Sequence, residues 1–394
     1  MLEPRKITLG TLDINVKGKE YVNNALNSNR LSYGKYTKRF EDDFSRLHGC
    51  QYGIFMNSGT SALQVALATM KQTHGWQDGD EVIVPATTFI ATSNVVIQNN
   101  LTPVFADVDP KTFNIDPAQI RHRVTPRTVC ILPVHLFGLP ANMPEIRKIA
   151  DFIEVKILED SCETMFAGIR GTPCGSWGDM ACFSTYVAHL IVGGVGGLVT
   201  TNDSYYEKVC RSLMAHGRNP IYTNIDMDDT EDDVIRKEMI ERRYEFERVG
   251  YSYRATELEA ALALSEFEVW RKNIQTRREN AAYLTELLED LRDYIQLPYI
   301  PDGYTHSFMM YATVLQDGID REKFLMHLEK SGIETRYMFP LLGQPVYQKL
   351  FPALEHQYPV SKRLAKQGLF IGMHQGLTKE DIEYVSEVIH AYRF

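Results

Sequence analysis

Phe183-Ser184-Thr185-Tyr186-Val187-Ala188-His189, then Gly193-Gly194-Val195-Gly196-Gly197, is the stretch on which the reading of this chain turns. Met180-Ala181-Cys182 runs into it, and Leu198-Val199-Thr200 runs out of it. Short apolar runs of this kind read as buried strands, and the glycines between them read as a loop. A serine and a histidine therefore sit where a strand ends. In an α/β sheet, ligands collect at the carboxyl ends of the strands.

Working outward, the same alternation repeats. Strands are expected at 52–56, 81–85, 103–107, 128–134 and 156–160, with helices over 16–28, 37–48, 60–71, 90–99 and 143–152. Short apolar strands separated by helices imply a sheet buried on both faces, which is an α/β architecture. Downstream, 257–292 carries a long helical pattern and 293–394 mixes strands and helices. The expected organisation is a large domain over 1–255, a long connecting helix over 256–292 and a smaller C-terminal α/β domain over 293–394. Between the two large regions, 219–249 holds an acidic run, Asp226-Met227-Asp228-Asp229-Thr230-Glu231-Asp232-Asp233. It reads as a solvated or mobile loop, or as a lid or subunit contact.

Bulk composition removes several function classes. The chain has 394 residues, 44% of them hydrophobic, and a net charge of -9. Its basic residues are scattered and form no stripe with interleaved aromatics, so nucleic-acid binding is not expected. No apolar run is long enough to span a bilayer, and MLEPRKITLG lacks the apolar core of a signal peptide. A cytoplasmic protein is the expectation. The six cysteines form no CxxC and no histidine pair completes a metal-type spacing, so no metal is expected.

Two further blocks carry chemistry. Asn57-Ser58-Gly59-Thr60 joins a strand to a helix, where unpaired backbone N–H groups attract phosphate; a plain helix cap is the alternative. Glu159-Asp160 ends an apolar strand, where a carboxylate serves as a cap, a metal ligand or the partner of a protonated ring nitrogen. In this order and spacing, these blocks and the 183–197 stretch resemble the DegT/DnrJ/EryC1/StrS family of sugar aminotransferases over nearly the whole chain.

The resemblance implies the type I fold of enzymes that use pyridoxal phosphate (PLP), with a mixed, mostly parallel sheet in the large domain. It implies a homodimer with shared active sites, acting on L-glutamate and a sugar through PLP and pyridoxamine phosphate. Ser58, Gly59, Thr60 and Ser184 would hold the cofactor phosphate, Phe89 would stack on the ring, and Asp160 would pair with the pyridine nitrogen. Glu163 falls near the ring hydroxyl, where the family usually has glutamine or a similar polar residue. Ser252, in Gly250-Tyr251-Ser252-Tyr253-Arg254, stands where the family uses an asparagine that reaches the partner subunit's phosphate site. Arg254, and Arg336 in Ile333-Glu334-Thr335-Arg336, fall on the substrate side.

In most of the family residue 189 is a lysine that holds PLP covalently. Histidine has no primary amine for that bond, but it suits general base catalysis. One branch with this swap, the nucleotide-sugar 3-dehydratases, removes a hydroxyl from a 4-keto sugar. Those enzymes tend to have a second histidine where this chain has Leu190, and a glutamate where it has Val195. Met338-Phe339-Pro340-Leu341-Leu342 looks more like the transaminating members. The preferred expectation is an aminotransferase with His189 as the base; the alternatives are a glutamate-regenerated 3-dehydratase and a non-catalytic homologue.

Overall fold

The computed structural model describes residues 5–11, 14–219, 232–242 and 244–394. Strands β1 (Tyr52–Met56), β2 (Glu81–Pro85), β3 (Thr102–Ala106), β4 (Thr128–Ile131) and β5 (Lys156–Asp160) are each followed by a helix or a turn at their carboxyl end. A short hairpin, β6 (Gly168–Ile169) and β7 (Thr172–Pro173), precedes β8 (Met180–Ser184) and β9 (Gly197–Thr201). Among the described residues, seven of these strands form one sheet in the order β1-β9-β8-β5-β4-β2-β3. All neighbours are parallel except β9, which runs antiparallel to both β1 and β8. The sheet is mixed and mostly parallel, as the resemblance implies. Every residue of β2, β8 and β9 is buried, because helices cover both faces.

The small domain is built on β10 (Ile295–Gln296), β11 (Met310–Leu315), β12 (Thr335–Tyr337) and β13 (Gly368–Gly372), paired antiparallel in the order β10-β11-β13-β12. Helices Arg321–Lys330 and Lys379–His390 bury Phe324, Leu328, Ile382 and Val385 in its core.

Two details differ from the sequence expectation. The 257–292 pattern is two helices, Glu257–Phe267 and Trp270–Leu287, broken at Glu268 and Val269. The first buries Ala260, Ala261, Ala263 and Leu264 beneath helices Val16–Asn27 and Lys35–Leu47. The second buries Ala281 and Leu284 against helix Lys379–His390 of the small domain. Each apolar face serves a different core, so one straight rod would leave one of them exposed. The N-terminal segment also belongs with the small domain. The Ile7 N–H donates to the Gly332 carbonyl at 2.9 Å, the Glu334 N–H donates to the Ile7 carbonyl at 2.8 Å, and Arg5 pairs with Asp381 at 2.6 Å. Most of the acidic run lies outside the described residues; Asp232 accepts from the N–H of Val234 at the start of helix Asp233–Arg242.

Glu257 anchors the large domain's second helix. Its buried carboxylate accepts from the N–H groups of Gly34 (2.7 Å), Tyr36 (3.0 Å) and Thr37 (2.9 Å), and from the Thr37 hydroxyl. An anion here satisfies the open donors of helix Lys35–Leu47 and meets its positive end. Glu257→Ala is expected to cost about 3 kcal/mol, from buried donors left unpaired. Urea denaturation would measure this, and a loss within experimental error would deny the anchor.

Candidate active site

A cavity of about 780 Å³ opens at the carboxyl ends of β1, β2, β5 and β8, with the small domain closing its far wall. Ser58, Gly59, Thr60, Phe89, Asp160, Glu163, Ser184, His189 and Arg336 all line it. Ser252 and Arg254 do not. They lie exposed on a segment held by its own chain, where the Asn57 N–H donates to the Tyr253 carbonyl at 2.8 Å and the Tyr251 N–H donates to that of Leu213 at 2.6 Å.

At one end of the cavity, helix Gly59–His74 begins. The Ser58 hydroxyl accepts from the Ser61 N–H at 3.1 Å and donates to the Ser61 hydroxyl at 2.9 Å. Ser58 therefore caps the helix, and Ser58, Gly59 and Thr60 line the cavity at the helix start, where open N–H groups favour an anion. Gly59 must be glycine. A Cβ there would lie 2.8 Å from the Ser184 Cβ and 2.9 Å from the Cys162 Sγ.

Asp160 ends β5, 4% exposed. Its Oδ2 accepts from the Thr92 hydroxyl at 2.8 Å, and Oδ1 from the Cys162 N–H at 3.1 Å. Thr92 is itself bonded to Thr88 at 2.8 Å. Burial pushes the Asp160 carboxyl up, and these donors pull it back. Thr92 was not foreseen; it lies in the first turn of helix Ile90–Gln98, four residues after Thr88, which precedes the helix. Glu163 is buried as well, accepting from the Phe137 N–H at 3.0 Å. Burial raises it to about 8, and that hydrogen bond opposes the rise. Phe137 holds a left-handed backbone, φ 56°, a conformation that costs a non-glycine residue about 1–3 kcal/mol. No sequence signal marks it.

His189 sits in the 185–196 loop between β8 and β9. The loop is stitched by N–H bonds from Thr185 to the Gly196 carbonyl and from Gly193 to the Thr185 carbonyl, both 2.9 Å. Gly196 has φ 139°, and a Cβ there would lie 2.5 Å from the Thr185 hydroxyl. Leu190, Ile191 and Val192 are buried and root the loop in the core. The His189 Nδ1 is bonded to the Cys162 carbonyl. A carbonyl only accepts, so the proton is on Nδ1 and Nε2 carries the free lone pair, with His189 on the cavity wall. Desolvation lowers the imidazole to about 4, against the pull of the carbonyl and with help from the Arg277 charge. It is neutral at ordinary pH.

These side chains fit a phosphorylated pyridine. An open helix start with Ser184 suits the phosphate, the buried Asp160 carboxylate suits a protonated ring nitrogen, and the Phe89 ring, 54% exposed, offers an uncovered aromatic face. No lysine lines the cavity among the described residues, so nothing there supplies a covalent amine.

Comparison with known proteins agrees with this geometry. Residues 13–390 match the model of the DegT/DnrJ/EryC1/StrS aminotransferase family, and the chain belongs to that family. It is 34% identical to a GDP-perosamine synthase of Caulobacter vibrioides, over 90% of this chain and 89% of that one. It is 34% identical to a UDP-N-acetyl-3-dehydro-alpha-D-glucosamine 3-aminotransferase of Acidithiobacillus ferrooxidans, over 90% and 88%. Among solved structures, an E. coli GDP-4-keto-6-deoxy-D-mannose-3-dehydratase with bound hydrated PLP superposes with a TM-score of 0.88 at 26% identity, covering 98% of this chain and 100% of that one. The fold is that of the type I PLP enzymes and the cofactor is PLP.

Asp160→Asn keeps the shape and removes the charge. Activity is expected to fall by orders of magnitude while cofactor phosphate contacts persist; near-normal turnover would remove Asp160 from the site.

Proposed function

We propose that this enzyme moves the amino group of L-glutamate, through the pyridoxal and pyridoxamine forms of its cofactor, to a keto- or aldehyde-sugar, with His189 as the proton-transfer base. The observation that carries this reading is the pinned imidazole: Nδ1 is committed to the Cys162 carbonyl, and the ring lines a cavity that has no lysine among the described residues. When bound, PLP supplies an electron sink and a carrier for nitrogen. The rest falls to the chain. Asp160 keeps positive charge on the ring nitrogen, and the Thr88–Thr92 hydroxyl pair keeps Asp160 in place. Gly59, Thr60 and Ser184 retain the phosphate, and they do so without a covalent bond to help. Phe89 covers one ring face. The His189 Nε2 accepts the proton leaving Cα of glutamate, and Arg336 receives an anionic group of the substrate.

Ser252 and Arg254 are assigned to the active site of a second copy, in a homodimer. Their exposure, and their absence from the cavity of their own chain, support that assignment. Relatives named for GDP- and UDP-linked sugars, and a Salmonella relative named as a lipopolysaccharide biosynthesis protein, support a cytoplasmic role in making amino sugars for the cell surface. The structural likeness to a sugar 3-dehydratase favours a second reading, in which the same proton transfer precedes loss of a hydroxyl. Val195 weighs against it, because it lines the cavity with an apolar side chain where that branch tends to carry glutamate.

Mass spectrometry after incubation with nitrogen-15 glutamate, PLP and keto- and aldehyde-sugars tests the choice. Heavy nitrogen in a sugar is expected; a sugar that loses oxygen and gains no nitrogen would make the enzyme a dehydratase. His189→Asn is expected to cut release of 2-oxoglutarate by about 10²–10⁴-fold, with PLP still bound. The wild-type rate is expected to hold as pH falls through about 6.5, where an ordinary histidine gains its proton, because this one stays neutral to about 4.

A further inference from the structure

Two buried carboxyl groups share the cavity, and they are held differently. Asp160 has two donors, the Thr92 hydroxyl and the Cys162 N–H. Glu163 has one, the Phe137 N–H on Oε2, which leaves Oε1 to the cavity. That single donor is aimed with care. Phe137 is held left-handed, and its own carbonyl accepts from the Met309 N–H at 3.0 Å, so the peptide cannot turn away. The titratable and charged groups on the cavity wall are Asp160, Cys162, Tyr186, His189, Arg336 and Tyr337. Of these, Asp160 acts on Glu163, and it opposes ionisation. Arg336 is already engaged by Glu334 at 2.6 Å. Environments that separate two neighbouring carboxyls give them separate tasks.

We propose that Glu163 works as a neutral carboxylic acid whose O–H donates to the ring oxygen of the bound cofactor, so that loss of this one proton sets the alkaline limit of cofactor retention. The proposal rests on the cavity being the PLP site. PLP presents a phosphate, a ring nitrogen and one further acidic oxygen on the ring. The helix start takes the first and Asp160 the second, which leaves Glu163 for the third. A glutamine in this place would donate at any pH. A glutamate donates only while protonated; once ionised, it sets a negative oxygen against a negative oxygen. Burial raises Glu163 to about 8, so the neutral form prevails below that pH and is lost as pH rises through it. With no covalent lysine to hold PLP, the loss appears directly in affinity.

The test is titration of cofactor-free protein with PLP, followed by absorbance, from about pH 6.5 to about pH 9.5, for wild type and Glu163→Gln. Any weakening common to both belongs to the ring nitrogen or the phosphate. The expected signal is in the difference: above about pH 8 the wild type weakens relative to the variant by about tenfold per pH unit, as one linked proton requires. Parallel curves would overturn the proposal. The infrared spectrum of the holoenzyme near neutral pH is a second readout. A neutral-carboxyl band that Glu163→Gln removes is expected, and its absence from the wild type would also overturn the proposal. Neither measurement depends on turnover, so an enzyme that binds PLP in this way and releases no 2-oxoglutarate would refute the proposed function and leave this inference standing.

Discussion

β5 ends in two carboxylates that point to opposite faces of the sheet, and much of the site is arranged around that alternation. Glu159 turns away from the cavity and is fully buried. It accepts from the His135 Nε2 at 2.8 Å and from the N–H groups of Gly175, Trp177 and Gly178 at 2.9, 2.8 and 2.6 Å. The His135 Nδ1 accepts from the Ala141 N–H at 3.0 Å, which fixes the tautomer that donates to Glu159. This hub locks the turn that leads into β8 and the turn that carries Phe137. Asp160, one residue on, faces the cavity with its charge free to act. A one-residue slip of this strand would exchange structural hub and functional acid.

The loop of His189 follows the same economy of polar groups. Its glycines permit two close backbone approaches, its apolar residues root it, and one carbonyl decides which ring nitrogen is basic. Burial then does two different things in one cavity. It keeps an imidazole neutral, which makes it a base, and keeps a carboxyl neutral, which makes it a donor.

Much of this was legible in the sequence, for physical reasons. Strand ends are written as an apolar run followed by a polar break, so Asp160, Ser184 and the Asn57–Thr60 turn can be located without coordinates. Other features depend on contacts between residues far apart in the chain. The N–H aimed at Glu163 comes from Phe137, and nothing around Phe137 signals a left-handed residue. The apolar wall made by Met309, Phe339 and Phe370 belongs to the small domain, and its position depends on how the two bodies meet. The break at Glu268 and Val269 carries no proline or glycine; it follows from two cores claiming two faces of one helical pattern. Ser252 and Arg254 are recognisable as a motif, but neither lines the cavity of its own chain.

The route of the N-terminal segment ties the two bodies together. Ile7 pairs with Ile333 just before β12 in the small domain, helix Val16–Asn27 belongs to the large one, and the chain returns to the small domain at helix Trp270–Leu287. Leu9, on the first crossing, lines the cavity, and its N–H donates to Glu334 at 3.1 Å. The two bodies also meet well away from these crossings: the N–H groups of Val360 and Ser361 donate to Asp107 at 2.9 Å each, and the Met309 N–H donates to the Phe137 carbonyl at 3.0 Å. The wall that carries Arg336 is thus fastened to the large body by hydrogen bonds as well as by the chain itself.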